Sequence, residues 1–190
     1  MRADIDETST MRGTIILSHG FESGPDATKT SAMAAVAGEL GWRTQRPDFR
    51  DLDTHGLEAA VAPRCERLRE LARAAEGPLV LAGSSMGAYV SVRVAHEVPC
   101  VGLFLLATPV AMAEAVEPLE LPAGIPVTMV HGFADELCPA DDALAFAQRQ
   151  HAHVLMVADG HRLSLYVDWI AQQFGLFLRH LGQAPARPPA

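Results

Sequence analysis

Residues 78–95 read PLVLAGSSMGAYVSVRVA. After Pro78, the run Leu79 to Ala82 is short and apolar at every position, as a strand buried on both faces must be. It stops at Gly83-Ser84-Ser85-Met86-Gly87, and a segment with helical spacing, Met86 to His96, follows. In that strand, turn and helix setting the G-x-S-x-G pattern puts its serine on a strained turn. A side chain held there crowds the positions two before and two after it, so Gly83 and Gly87 do best without a Cβ. Ser85 then points into a cleft and is the candidate nucleophile. Ser84 has no glycine two positions on and reads as a turn residue. A plain Gly/Ser connector is the bland alternative. A phosphate cradle would need G-x-x-x-x-G-K-[ST], which is absent.

Outward from this unit the pattern repeats. Further apolar runs lie at Thr14 to Leu17, Val101 to Leu106, Val127 to Val130 and Val154 to Val157, with a weaker one at Trp42 to Arg46 whose mixed composition suits a sheet edge. Helical spacing marks Ala27 to Leu40, Leu57 to Ala75, Asp141 to Arg149 and Leu163 to Leu181. Strand and helix alternate, which predicts an α/β fold: a doubly wound, mostly parallel sheet of about six or seven strands with helices on both faces. Ligands of such sheets sit at the carboxyl ends of the strands. Residues 13–182 form the expected single domain, between a polar start at 1–12 and a Pro/Ala-rich end at 183–190.

The composition narrows the function. Hydrophobic residues make up 49% and charged residues 20%, as in an ordinary globular domain. A net charge of -8 argues against a nucleic-acid partner, because a polyphosphate needs a basic face. No apolar run approaches the ~20 residues that span a bilayer. The first dozen residues lack the basic start and apolar run of an export signal. Three scattered cysteines, Cys65, Cys100 and Cys138, with no C-x-x-C spacing, suit a reducing compartment. The expected location is cytoplasmic.

The loops after the strands carry His19-Gly20-Phe21-Glu22, the Ser85 turn, His131-Gly132-Phe133-Ala134-Asp135-Glu136, and Asp159-Gly160-His161. With these in view the chain resembles the α/β-hydrolase superfamily, especially compact bacterial members close to small carboxylesterases and dienelactone hydrolases. The order Ser, Asp, His is that family's order. The resemblance implies a triad of Ser85 as nucleophile, His161 as general base and Asp135 as the acid that fixes the imidazole tautomer. Asp159, two residues before His161, stays open as a fallback acid. The resemblance further implies an oxyanion hole from the backbone N–H groups of Met86 and Phe21, flanked by His19, Gly20 and Glu22.

His19 and His131 each precede a glycine and read as loop-shaping; His55, His96 and His180 read as surface positions. His151 and His153 form an H-x-H pair without a third ligand, so no metal is expected. Glu22 faces either the cleft or solvent, the latter preferred. Only about 20 residues separate Leu106 from Val127, which leaves no room for a cap domain. The expected activity is hydrolysis of short-chain carboxylic esters or thioesters through an acyl-enzyme, without a cofactor. The expected partner is a small acyl substrate, and the chain a monomer or small homo-oligomer. Lactones, dienelactones, peptides or acyl transfer on the same triad are alternatives, and a binding module without turnover is another.

Overall fold

The computed structural model describes residues 11–110 and 119–181. Most of the polar start and all of the Pro/Ala-rich end lie outside the described residues. Six parallel strands form one sheet in the order β2-β1-β3-β4-β5-β6. They are β1 (Thr14–Ser18), β2 (Arg43–Gln45), β3 (Leu79–Ser84), β4 (Gly102–Leu106), β5 (Val127–Gly132) and β6 (His153–Val157). The helices are α1 (Thr28–Glu39), α2 (Leu57–Arg73), α3 (Met86–Ala95), α4 (Ala140–Arg149) and α5 (Val167–His180).

Each central strand is apolar over most of its length because it feeds two cores. Alternate residues point to opposite faces. Ile16, Leu79, Leu81, Leu103, Leu105 and Met129 therefore meet side chains of α2, α3 and α4. Ile15, Leu17, Val80, Ala82, Phe104, Leu106 and Val130 meet those of α1 and α5 on the other face. Phe104 packs tilted on Phe174 at 5.0 Å between ring centroids and anchors α5 to the sheet.

The strand order reverses between β1 and β3: the chain runs from β1 to β2 on one side, then crosses back to β3 on the other. That reversal opens a crevice at the carboxyl ends of β1 and β3. The weak strand is the sheet edge, as its composition suggests, pairing only through Arg43 to Gln45 with β1. Among the described residues no cap domain lies between β4 and β5.

Two differences from the sequence reading have local causes. Leu163 takes a left-handed conformation (φ 51°), and Ser164–Tyr166 form a 3-10 turn, so the last helix begins at Val167 and not at Leu163. A second 3-10 turn, Arg50–His55, was not visible in the sequence. Its RDLDTH composition has no apolar period, and none of its residues is buried.

Candidate active site

Ser85 sits between β3 and α3 with φ 54° and ψ −122°, outside every region that a side chain favours. Close packing holds it there. A Cβ on Gly83 would lie 2.3 Å from the Gly87 carbonyl, and one on Gly87 would lie 2.1 Å from the Ser18 oxygen. The two glycines thus let the elbow fold on itself and let α3 start under the end of β1. The Ser85 N–H donates to the Leu106 oxygen at 2.8 Å, tying the elbow to β4. Ser84 is the last residue of β3 and is buried; it is not a turn residue as its sequence position suggested.

His161 Nε2 lies 2.9 Å from Ser85 Oγ, and its Nδ1 lies 2.9 Å from Asp135 Oδ2 and 3.0 Å from Oδ1. One hydrogen-bonded line therefore joins three loops, after β3, β5 and β6. The Asp135 side chain is wholly buried, and its Oδ1 accepts the Leu137 and Cys138 N–H groups at 3.0 and 2.8 Å. His131, also buried, donates from Nε2 to the Cys138 oxygen at 2.7 Å and stands 3.3 Å from Asp135 Oδ2. The turn that presents the carboxylate is thereby closed. Gly132 matters to this closure, because a Cβ there would meet the Asp159 oxygen at 2.3 Å and push the His161 loop away.

Asp159 does not face the His161 imidazole among the described contacts. Its oxygens accept the Gly160 and Leu165 N–H groups, each at 2.8 Å, and shape the loop that carries His161. Lys29 braces the same loop by donating from Nζ to the Arg162 oxygen at 2.6 Å. Burial pulls the Lys29 amine down to about 8, against the attraction of the Asp159 and Asp135 carboxylates.

Opposite Ser85 runs the loop after β1. Gly20 packs on Ser85, and a Cβ on it would lie 3.5 Å from Ser85 Cβ. Neither the Phe21 nor the Met86 N–H has a partner among the described residues. The Met86 amide is in addition the first N–H of α3, where the helix dipole favours negative charge. The Phe21 ring is half-buried against the α2–α3 core, and Glu22 is exposed to solvent. His19 is not a cleft residue; it is fully buried behind the loop.

Sequence reasoning missed what lies behind that loop. Arg64 of α2 is fully buried, and it donates to Asp53 from Nε at 2.8 Å and from Nη2 at 2.5 Å. It also reaches the carbonyls of His19 (2.9 Å) and Gly20 (3.2 Å). A signal existed: Arg64 shares the i, i+4 stripe of buried Ala60, Leu68 and Ala72, a place where a charge needs a partner.

Atoms of Asp135, Cys138 and His161 lie within 4.8 Å of one another, a spacing open to a metal ion. The imidazole and the carboxylate are already engaged with each other, His161 Nδ1 by Asp135 and Asp135 Oδ1 by the Leu137 and Cys138 N–H groups. His151 and His153 are exposed on a turn and on the edge strand β6, away from this cluster.

Residues 11–166 match the model of an alpha/beta hydrolase domain family. The chain is an α/β hydrolase. A Xanthomonas campestris protein described as a hydrolase of the alpha/beta superfamily is 47% identical to this hydrolase, with a TM-score of 0.86 over 90% of this chain and all of that one. An alpha-beta serine hydrolase homologue from Coxiella burnetii (22% identity, TM-score 0.69, 87% and 84% covered) shares its fold. So does a second Xanthomonas campestris protein, an a/b serine hydrolase without a lid (19%, TM-score 0.62, 90% and 84%). None of the curated proteins compared with the hydrolase matches it. No helix among its described residues is long and apolar enough to cross a membrane.

Proposed function

We propose that this hydrolase cleaves short-chain carboxylic esters or thioesters through an acyl-enzyme on Ser85. The carrying observation is the unbroken line from Ser85 Oγ through His161 to Asp135 at 2.9 Å per step. Because Asp135 Oδ1 takes two backbone N–H groups and Oδ2 faces the imidazole, the carboxylate only accepts. It holds the His161 proton on Nδ1 and leaves Nε2 free to take the serine proton. Ser85 Oγ attacks the substrate carbonyl, and the developing oxyanion is met by the N–H groups of Met86 and Phe21. His161 returns the proton to the leaving alcohol or thiol, then activates a water that releases the acid and restores Ser85. No step calls for a cofactor.

The preference for small acyl groups follows from the open site. Among the described residues, the large apolar side chains of the loops that carry Asp135 and His161, Phe133 at 61%, Leu137 at 75% and Leu165 at 78% exposure, lie in solvent and enclose no tunnel. We place the enzyme in the cytoplasm, in keeping with three unpaired cysteines whose thiols burial pushes up to about 11 or 12.

A fluorophosphonate probe on wild type and Ser85→Ala, followed by p-nitrophenyl esters from acetate to palmitate, tests the proposal. Labelling that depends on Ser85, and rates that fall with chain length, are expected. An unlabelled folded wild type would instead return the chain to the class of binding modules. A preference for palmitate would overturn the short-chain assignment.

A further inference from the structure

The loop that offers the Phe21 N–H is held by a buried ion pair that touches no substrate. Arg64 and Asp53 face each other with two hydrogen bonds, and the guanidinium lies 5.0 Å above the Phe49 ring. Their remaining bonds go to the backbone on both sides of Phe21. Arg64 Nη1 donates to the His19 oxygen and Nη2 to the Gly20 oxygen, while Asp53 Oδ2 accepts the Glu22 N–H at 3.4 Å. The Phe21 N–H has no protein partner among the described residues.

The Gly20 oxygen and the Phe21 N–H belong to one peptide unit. That unit is trans, so its C=O and N–H point in opposite directions. Holding the oxygen toward Arg64 aims the N–H away from α2, on a loop whose Gly20 packs against Ser85. A second donor adds to the hold. His19 Nε2 accepts the Phe49 N–H at 3.0 Å, and burial keeps the ring neutral by lowering its pKa, so its proton sits on Nδ1 and is donated to the Gly20 oxygen at 2.8 Å. A carbonyl that accepts from a cation and an imidazole is polarised, and the N–H at the other end of the same amide becomes a stronger donor.

We infer that Arg64, neutralised by Asp53, is a positioning residue for the reaction: it orients and polarises the Gly20–Phe21 peptide so that the Phe21 N–H binds the oxyanion. The inference rests on the proposed serine mechanism. It accounts for the fully buried Arg64 guanidinium, which as mere packing would be replaceable, together with Asp53, by apolar side chains.

Two variants test it, Arg64→Lys and the double change Arg64→Met with Asp53→Leu, which removes both charges together and leaves neither unpaired. Each is checked for folding by circular dichroism, then assayed with p-nitrophenyl acetate and with a trifluoromethyl ketone, whose adduct with Ser85 carries the oxyanion. The double variant is expected to lose about 10- to 100-fold in kcat, with KM within about twofold, and to bind the ketone more weakly by the same factor. Arg64→Lys, which keeps a cation but not the fork, falls between it and wild type. A folded variant that keeps kcat and ketone affinity within about twofold of wild type, whatever its melting temperature, overturns the inference. If the double variant does not fold, Arg64→Lys decides alone on the same criterion. A wild type that neither hydrolyses the ester nor takes the phosphonate would strike the serine mechanism itself, a different and separable failure.

Discussion

Replacing Asp135 by Asn changes one oxygen for an NH2 group, and the surroundings decide which one. Oδ1 receives two backbone donors, from Leu137 and Cys138, so the amide oxygen of Asn must take that place. The NH2 then occupies the position of Oδ2, 2.9 Å from His161 Nδ1. A donor there opposes an Nδ1–H, whose remaining acceptor is the oxygen at 3.0 Å already shared with two amides, and favours the tautomer that accepts at Nδ1 and carries its proton on Nε2, facing Ser85. The base is lost without loss of shape. Flipping the amide would restore the tautomer but would leave the part-buried Leu137 and Cys138 N–H groups facing a donor, at up to about 1–3 kcal/mol each. The expected fall in kcat is about 10⁴-fold, or about 5.5 kcal/mol of transition-state stabilisation. Steady-state kinetics on p-nitrophenyl acetate reads it, with thermal unfolding as the control for structure. A folded variant whose kcat stays within about tenfold of wild type would refute the tautomer argument.

Three further outcomes are expected. Ser85→Gly, which accepts φ 54° without strain, should gain about 1 kcal/mol in denaturant unfolding while losing all turnover. Gly87→Ala must place a methyl 2.1 Å from the Ser18 oxygen and should cost about 3 kcal/mol or more in the same measurement. For Lys29, the folded chain releases its proton at about 8 and the unfolded chain at the ordinary 10.5. Between those values the unfolded state binds more protons, so wild-type stability should rise relative to Lys29→Met from about pH 8 to pH 10.5, as pH-dependent melting would show.

The sheet was legible because a strand buried on both faces leaves an unbroken apolar run, and even the edge strand at Arg43 announced itself by its mixed composition. The elbow was legible because its two glycines answer a steric demand that no other residue meets. The choice between Asp135 and Asp159 was not settled by residue type or proximity. It depends on which carboxylate keeps an oxygen for His161: Asp135 takes both its amides on Oδ1 and leaves Oδ2 at 2.9 Å from the imidazole, whereas Asp159 spends one oxygen on Gly160 and the other on Leu165. The start of α5 was misplaced because Leu163 continues the helical spacing while its backbone turns left-handed. Arg64 and Lys29 act on groups far away in the chain, through carbonyls that carry no sequence signal of their own; His131 shapes its own loop, as its place before Gly132 suggests.

Strand β3 also works as a ruler. Its neighbours grip it on both edges, Leu17 beside Ala82 and Ser18 beside Gly83 on one side, Leu106 beside Ser84 on the other. Deleting any one residue from Leu79 to Ala82 would barely alter how greasy the segment is. It would, however, shift the serine by about 3.3 Å and exchange the two sets of inward-facing side chains. The number of residues in β3, more than their identity, sets where the hydroxyl stands.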